Sequence, residues 1–172
     1  MRRWTLTAAL FAAPLLGCTP ALDWREVRPE GTSVTLLFPC HPKSQSRRAM
    51  LGGVPVRMTL LACDADGLSF GLVHADLGDP ARVAPGLDAM AAALAANLQA
   101  KQVRSEPLRV VGMTPGPSAH RIWLEGRLPD ATPVREQAAL VALGTHVYQA
   151  SVLGPRPDAA ADVFIDSLRL AP

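Results

Sequence analysis

Excess charge of one sign is missing once the first residues are set aside. Arg2 and Arg3 are the only charged side chains ahead of Cys18, so from there on 15 basic residues face 15 acidic ones. A balanced chain without a sustained basic stripe lacks the electrostatic footprint of nucleic-acid binding, and nucleic acid is set aside as a partner. Long apolar runs are also missing. The N-terminal run from Trp4 to Leu16 is broken by Pro14 and is shorter than the roughly 20 residues of a membrane-crossing helix. No glycine-rich loop precedes a helix in a Walker or dinucleotide pattern, so there is no foothold for a phosphate-bearing cofactor. The four histidines, His41, His74, His120 and His146, are never three or four residues apart. That spacing cannot present two imidazoles from one helix face, and neither a metal nor a cofactor is expected. No pair of acidic residues stands out, and no short repeat or low-complexity tract is present.

One motif imitates catalysis. Gly67-Leu68-Ser69-Phe70-Gly71 satisfies the GxSxG expression, and Asp130 followed by His146 keeps the order of a hydrolase triad. A nucleophile elbow needs a strand, a sharp turn at the serine and a helix directly after it. Here Leu72 and Val73 continue an alternating strand, so no catalytic residue is assigned. His74 and His120 lie on apolar strand faces, where a buried, hydrogen-bonded imidazole is the ordinary state.

What is present begins with an address. Residues 1–17 read as a signal peptide: two arginines, an apolar stretch, then small Gly17. Leu15-Leu16-Gly17-Cys18 resembles the bacterial lipobox, in which the cysteine is fatty-acylated and becomes the first residue after cleavage. That resemblance implies a lipid on Cys18 and attachment to the membrane through it. Thr19, where an aspartate would favour inner-membrane retention, implies the outer membrane, facing the periplasm. One acyl chain holds a protein only marginally, whereas the two or three of a lipoprotein hold it firmly. An ordinary signal cut elsewhere would leave Cys18 an incidental thiol.

Three cysteines are an odd number for an exported chain. Lipidation of Cys18 accounts for one, and Cys40 and Cys63 then form a pair in an oxidising compartment, where a disulfide is the default. Their use as metal thiolates beside His41 or His74 would be the rival, but two ligands match no known metal spacing.

After a tether at residues 18–22, residues 23–172 read as one domain. Trp24 to Val27 and Ser33 to Phe38 are expected strands, and Pro42 to Arg48 is a polar loop carrying Lys43, Arg47 and Arg48. Gly52-Gly53 suits a tight hairpin turn at positive φ, followed by strands over Val54 to Ala62 and from Leu68 to His74. Gly86 to Gln102 is the clearest helix, with Leu87, Met90, Leu94 and Leu98 at helical spacing, and Asp79-Pro80 and Pro85-Gly86 both offer a start signal for it. Leu108 to Met113 starts a second set of strands, continued by Ala119 to Leu128, Val134 to Leu143 and His146 to Leu153. Asp158 to Ser167 closes the chain as a helix buried through Ala161, Phe164, Ile165 and Leu168. Strands and helices segregated in this way predict an α+β fold with a mostly antiparallel sheet against which the central and C-terminal helices pack.

Trp24, Gly31-Thr32-Ser33-Val34 leading into Phe38-Pro39, a central helix and the closing Phe164-Ile165-Asp166-Ser167-Leu168 resemble the PsbP-like group of small α/β/α proteins. The group includes bacterial lipoproteins, and its members serve mainly as accessory or binding proteins. The resemblance implies a PsbP-like sandwich over residues 23–170 and a non-catalytic interaction or assembly role with a protein partner in the envelope. Two surfaces are candidates for it. The loop cations Lys43, Arg47 and Arg48 could meet anionic head groups or an acidic partner. Trp123, among Arg121, Glu125 and Arg127, is an interface anchor if its face is open and core if a helix covers it. Binding of a small ligand or lipid is the alternative, and it requires an apolar pocket between sheet and helix lined by residues such as Phe70, Leu94 and Ile122.

Overall fold

Short alternating stretches punctuated by Gly and Pro make strands, and the computed structural model, which describes residues 22–171, contains ten of them among those residues. They are β1 (Arg25–Val27), β2 (Val34–Phe38), β3 (Lys43–Leu51), β4 (Val54–Ala65) and β5 (Leu68–Asp76), then, after helix α1 (Val83–Asn97), β6 (Lys101–Pro107), β7 (His120–Arg127), β8 (Pro133–Leu143) and β9 (His146–Gly154). Helix α2 (Asp158–Asp166) and β10 (Arg169–Leu170) complete the order. The signal segment, Cys18 and the tether as far as Ala21 lie outside the described residues.

Seven strands form one antiparallel sheet in the order β3-β4-β5-β9-β8-β7-β6, and β1-β2-β10 form a second, smaller one. The fold is therefore the α+β sandwich expected. Helix α1 covers one face of the large sheet through Leu87, Met90 and Leu94, which pack in one core with Val56, Ile122 and Leu140. Helix α2 and the small sheet cover the other, joining Val34, Leu36 and Phe38 to Phe70, Val141, Val152 and Phe164. Phe164 ties the layers together, meeting Phe38 of β2 at 4.9 Å and Phe70 of β5 at 5.5 Å, both edge to face. That is the favoured geometry of aromatic pairs. Ala161, Phe164, Ile165 and Leu168 are all buried, as the helical spacing predicts.

The structure departs from expectation in three places. Helix α1 starts earlier, at Val83, because Asp79 accepts from the Ala81 N–H and nucleates a 3₁₀ turn, Pro80–Arg82, that leads into it. Pro85 falls in its first turn, where a missing N–H costs nothing. The helix also ends earlier, at Asn97, with Leu98 pressed against β7. A Cβ on Gly126 would lie 2.5 Å from the Leu98 carbonyl, so only glycine permits that approach. The chain then enters β6, an exposed edge strand with no buried face to announce it. Conversely, Leu108 to Met113 is not a strand but a crossing connection. Gly112, at positive φ, passes so close to the Leu170 carbonyl that any side chain would collide with it.

The third departure concerns Pro42 to Arg48, expected as a loop. From Lys43 onward this segment is the first part of β3, paired with β4 without a break from Lys43 opposite Ala62 to Leu51 opposite Val54. Gly52 and Gly53, both at positive φ, make the two-residue turn that fixes this register. Local polarity conceals the strand because only its last residue, Leu51, is buried.

Cys40 and Cys63 are bonded, with their Cα atoms 6.1 Å apart. The bridge fastens the corner that leaves β2 to β4, the second strand of the large sheet. With a sequence separation of 23, the closed loop contributes about 3.5 kcal/mol on the chain-entropy model. Replacing both cysteines with serine should lower the unfolding free energy by about that much in urea titrations. A loss under about 1 kcal/mol would show that the second sheet is held by packing alone.

Candidate functional site

The β3–β4 hairpin reaches past the rest of the sheet. β5 pairs with β4 only from Met58 onward, so the stretch from Arg48 and Arg57 to the turn is a two-stranded ribbon with no third strand beside β4 among the described residues. Period-two alternation sorts its side chains. Lys43, Gln45, Arg47 and Leu51 share the α1 face with Val56, Met58 and Leu60, while Ser44, Ser46, Arg48 and Met50 share the other with Arg57 and Thr59.

Arg48 stands directly opposite Arg57, and both are exposed. Like charges in that position destabilise a strand pair. Among the described residues, Lys43, Arg47, Arg48 and Arg57 form no ion pair, whereas Arg25, Arg28, Arg82, Arg104, Arg121 and Arg135 each have an acidic partner. Lys101, Arg109, Arg127, Arg156 and Arg169 are also outside ion pairs among the described residues, but they are scattered along the chain, whereas these four cations sit together on two adjacent strands. Next to it lies a groove of about 220 Å³ lined by Gln45, Ser46, Arg47, Met58, Leu60 and Val73. Met50, 67% exposed, adds an apolar knob near the turn.

Deeper on the same face, Leu60 and Ser151 flank Gly71, where a Cβ would meet Leu60 Cδ1 at 3.7 Å and Ser151 Oγ at 3.8 Å. The Ser151 hydroxyl hydrogen-bonds Glu136, whose carboxyl is buried in the sheet between Leu124 and Leu153. Burial raises its pKa to about 7, the serine offsetting only part of the effect.

The other sequence candidates fall elsewhere. Trp123 is on β7, and β3 and β7 stand first and sixth in the sheet, about 24 Å apart at ordinary strand spacing. Trp123 and the three cations therefore do not form one surface. Its ring is half-buried between Arg104, 4.4 Å away, and Arg121, 5.2 Å away. Arg121 in turn binds Asp162 and Asp166 of α2 and the Gln137 side chain. Trp123 belongs to the clasp that holds α2 to the sheet.

Ser69 lies inside β5 and donates to Asp64 at 2.6 Å. Asp130 accepts from the Thr132 N–H within its own turn. His146 stacks on Tyr148 and lies 3.9 Å from Asp76, whose pKa is lowered by the Thr145 hydroxyl and the Gly78 N–H. The three residues of the apparent triad thus have separate surroundings. His74 and His120 are half-buried rather than enclosed, and His74 stacks on Tyr148 at 6.3 Å. Burial, reinforced by His146, lowers the His74 pKa. Phe70, Leu94 and Ile122 do not line a pocket. Phe70 is packed in the α2-side core and the other two in the α1-side core, on opposite faces of the sheet. Among the described residues no group of three or more His, Cys, Asp or Glu is placed to hold a metal ion, and no helix is long and apolar enough to cross a membrane.

Two measurements test this electrostatic account. Arg57→Thr should stabilise the fold by about 0.2–1 kcal/mol at low ionic strength, with the gain shrinking in salt. The folded chain keeps the Glu136 proton to about pH 7, whereas an unfolded chain releases it near 4.5, so stability falls as pH rises between those values. Glu136→Gln should accordingly be near neutral at pH 4.5 and stabilising by up to about 3 kcal/mol at pH 8 in urea titrations. Equal effects at the two pH values would mean that Glu136 is ionised in the fold.

No family model and no curated protein matches the chain. Among solved structures it is similar to the solution structure of cyanobacterial PsbP (CyanoP) from Synechocystis sp. PCC 6803, with a TM-score of 0.50 and 12% identity over 93% of this chain and 99% of that one. At that identity the likeness concerns the backbone: the fold is PsbP-like.

Proposed function

We propose that this chain is a non-catalytic accessory lipoprotein, acylated on Cys18 and held in the outer membrane facing the periplasm, where it binds a protein of the envelope. The observation that carries the reading is the uncompensated basic ribbon on an open sheet edge, a surface whose charge arrangement costs stability and is relieved by an acidic partner. The separate surroundings of Ser69, Asp130 and His146 and the PsbP-like fold agree with a binding role.

The tether fits such an anchor. The five chain steps from Cys18 to Asp23 span at most about 17 Å. The Asp23 N–H is bonded to the Pro39 carbonyl, beside Cys40 and just ahead of β3. A lipid on Cys18 would therefore keep the start of the basic strand close to the bilayer and leave the partner to be met at short range.

Intact mass of the detergent-extracted native protein should show acyl chains on Cys18, and Cys18→Ser should move the protein to the soluble periplasmic fraction. Cross-linking from the ribbon in intact cells should capture one specific envelope protein. A native product that is soluble, with Cys18 unmodified, would overturn the anchor.

A further inference from the structure

We infer that the free edge of β3 takes up an extended acidic segment of the partner as an added strand, with one large apolar side chain of that segment leaning into the groove over Met58, Leu60 and Val73. The inference rests on the accessory reading and names the chemistry of its partner.

The two edges of the large sheet are built differently. At β6 the register slips between Gln102 and Arg104, and the strand ends in Pro107, which has no N–H to offer. Slips and prolines are ordinary ways of blunting an edge. At β3 nine residues run in unbroken register with β4, and among the described residues no strand pairs with the outer side. Its outward N–H and C=O groups form a continuous template of the kind used in strand addition.

Charge decides what the template accepts. Cations on an edge strand ordinarily repel further strands, and a second copy of this chain would bring its own Lys43, Arg47 and Arg48 against the first. The same cations favour a segment with acidic side chains on both faces, because Lys43 and Arg47 stand on one face and Arg48 and Arg57 on the other. An added strand would thus relieve the Arg48 and Arg57 repulsion that the free protein carries, and specificity comes from rejecting neutral and basic strands. The groove lies about one strand in from the edge, and long or aromatic side chains reach diagonal neighbours across strands. The exposed Met50 lies near the turn on the opposite face from the groove.

The test uses the full-length, detergent-extracted protein and a fluorescein-labelled ten-residue peptide in which glutamates occupy both strand faces around one central phenylalanine. Anisotropy should give saturable binding. Methylating alternate backbone nitrogens of the peptide, which removes strand hydrogen bonds without touching the protein, should weaken it at least tenfold, as should exchanging its glutamates for lysines. Arg47→Glu with Arg48→Glu, on exposed positions, should weaken binding at least tenfold while circular dichroism stays unchanged and the melting temperature does not fall, since Arg48→Glu turns a repulsive cross-strand pair with Arg57 into an attractive one. Equal binding of the methylated peptide would overturn strand addition, and binding to phosphatidylglycerol vesicles in place of the peptide would identify an anionic membrane surface instead. Absence of peptide binding, with an envelope protein still cross-linked from the ribbon, would remove this inference and leave the accessory reading intact. No captured protein from the ribbon, with Cys18 unmodified, would remove both.

Discussion

The central strands of the large sheet are apolar on both faces, and most of the architecture follows from that. In β8 the successive residues Ala138, Ala139, Leu140, Val141 and Ala142 are all buried, and in β9 so are Val147, Tyr148, Ala150 and Val152. A sheet of this kind cannot leave either side to water. Helix α1 supplies one cover, and α2 with the small sheet supplies the other, because no single element is wide enough for both. The Phe38, Phe70 and Phe164 contacts and the Cys40 to Cys63 bridge then hold the second cover in place from two directions.

The same constraint explains where the chain is free. Cover is needed over β5, β9 and β8, and it thins toward the outer strands, so β3 and β6 are left largely to solvent. Residues there answer to no core. At β6 that freedom is used for a slipped register and a terminal proline, at β3 for cations set across from one another. An arrangement that costs stability on a surface, where almost any other residue would be tolerated, is more informative than a buried one whose identity packing dictates.

How far the residues disclosed this depends on whether burial leaves a mark on them. Leu87, Met90 and Leu94, and Ala161, Phe164 and Ile165, repeat at helical spacing because a core takes every third or fourth position, and both helices are therefore legible. Edge strands leave no such mark. Lys101-Gln102 and Lys43 to Arg48 have no buried residue and read as helix end and loop, although they belong to the strands β6 and β3. The Arg48 and Arg57 opposition was nonetheless within reach, since a two-residue turn at Gly52-Gly53 pairs residues equidistant from it. The polarity of Pro42 to Arg48, which reads as a loop, conceals it. Glu136 is hidden differently: β7 and β9 flank β8 through short turns, but a lone carboxylate at the start of an alternating strand gives no sign that Leu124 and Leu153 enclose it. Trp123 could not be decided from its strand alone, because its surroundings are made by Arg104 and by α2, distant in sequence.

Fold likeness at 12% identity is what this division of labour leads one to expect. Two chains can share the two-sided burial of the central strands and the placement of two covering helices while sharing few side chains, because cores tolerate exchange of apolar residues when volume and pattern are kept. Nothing in that shared requirement reaches β3. The chemistry of the edge can differ freely between chains of one fold, so the fold gives the scaffold and the ribbon must be read on its own residues. In this chain those residues are four cations without counter-ions beside a strip of apolar surface, held at a fixed register by two glycines.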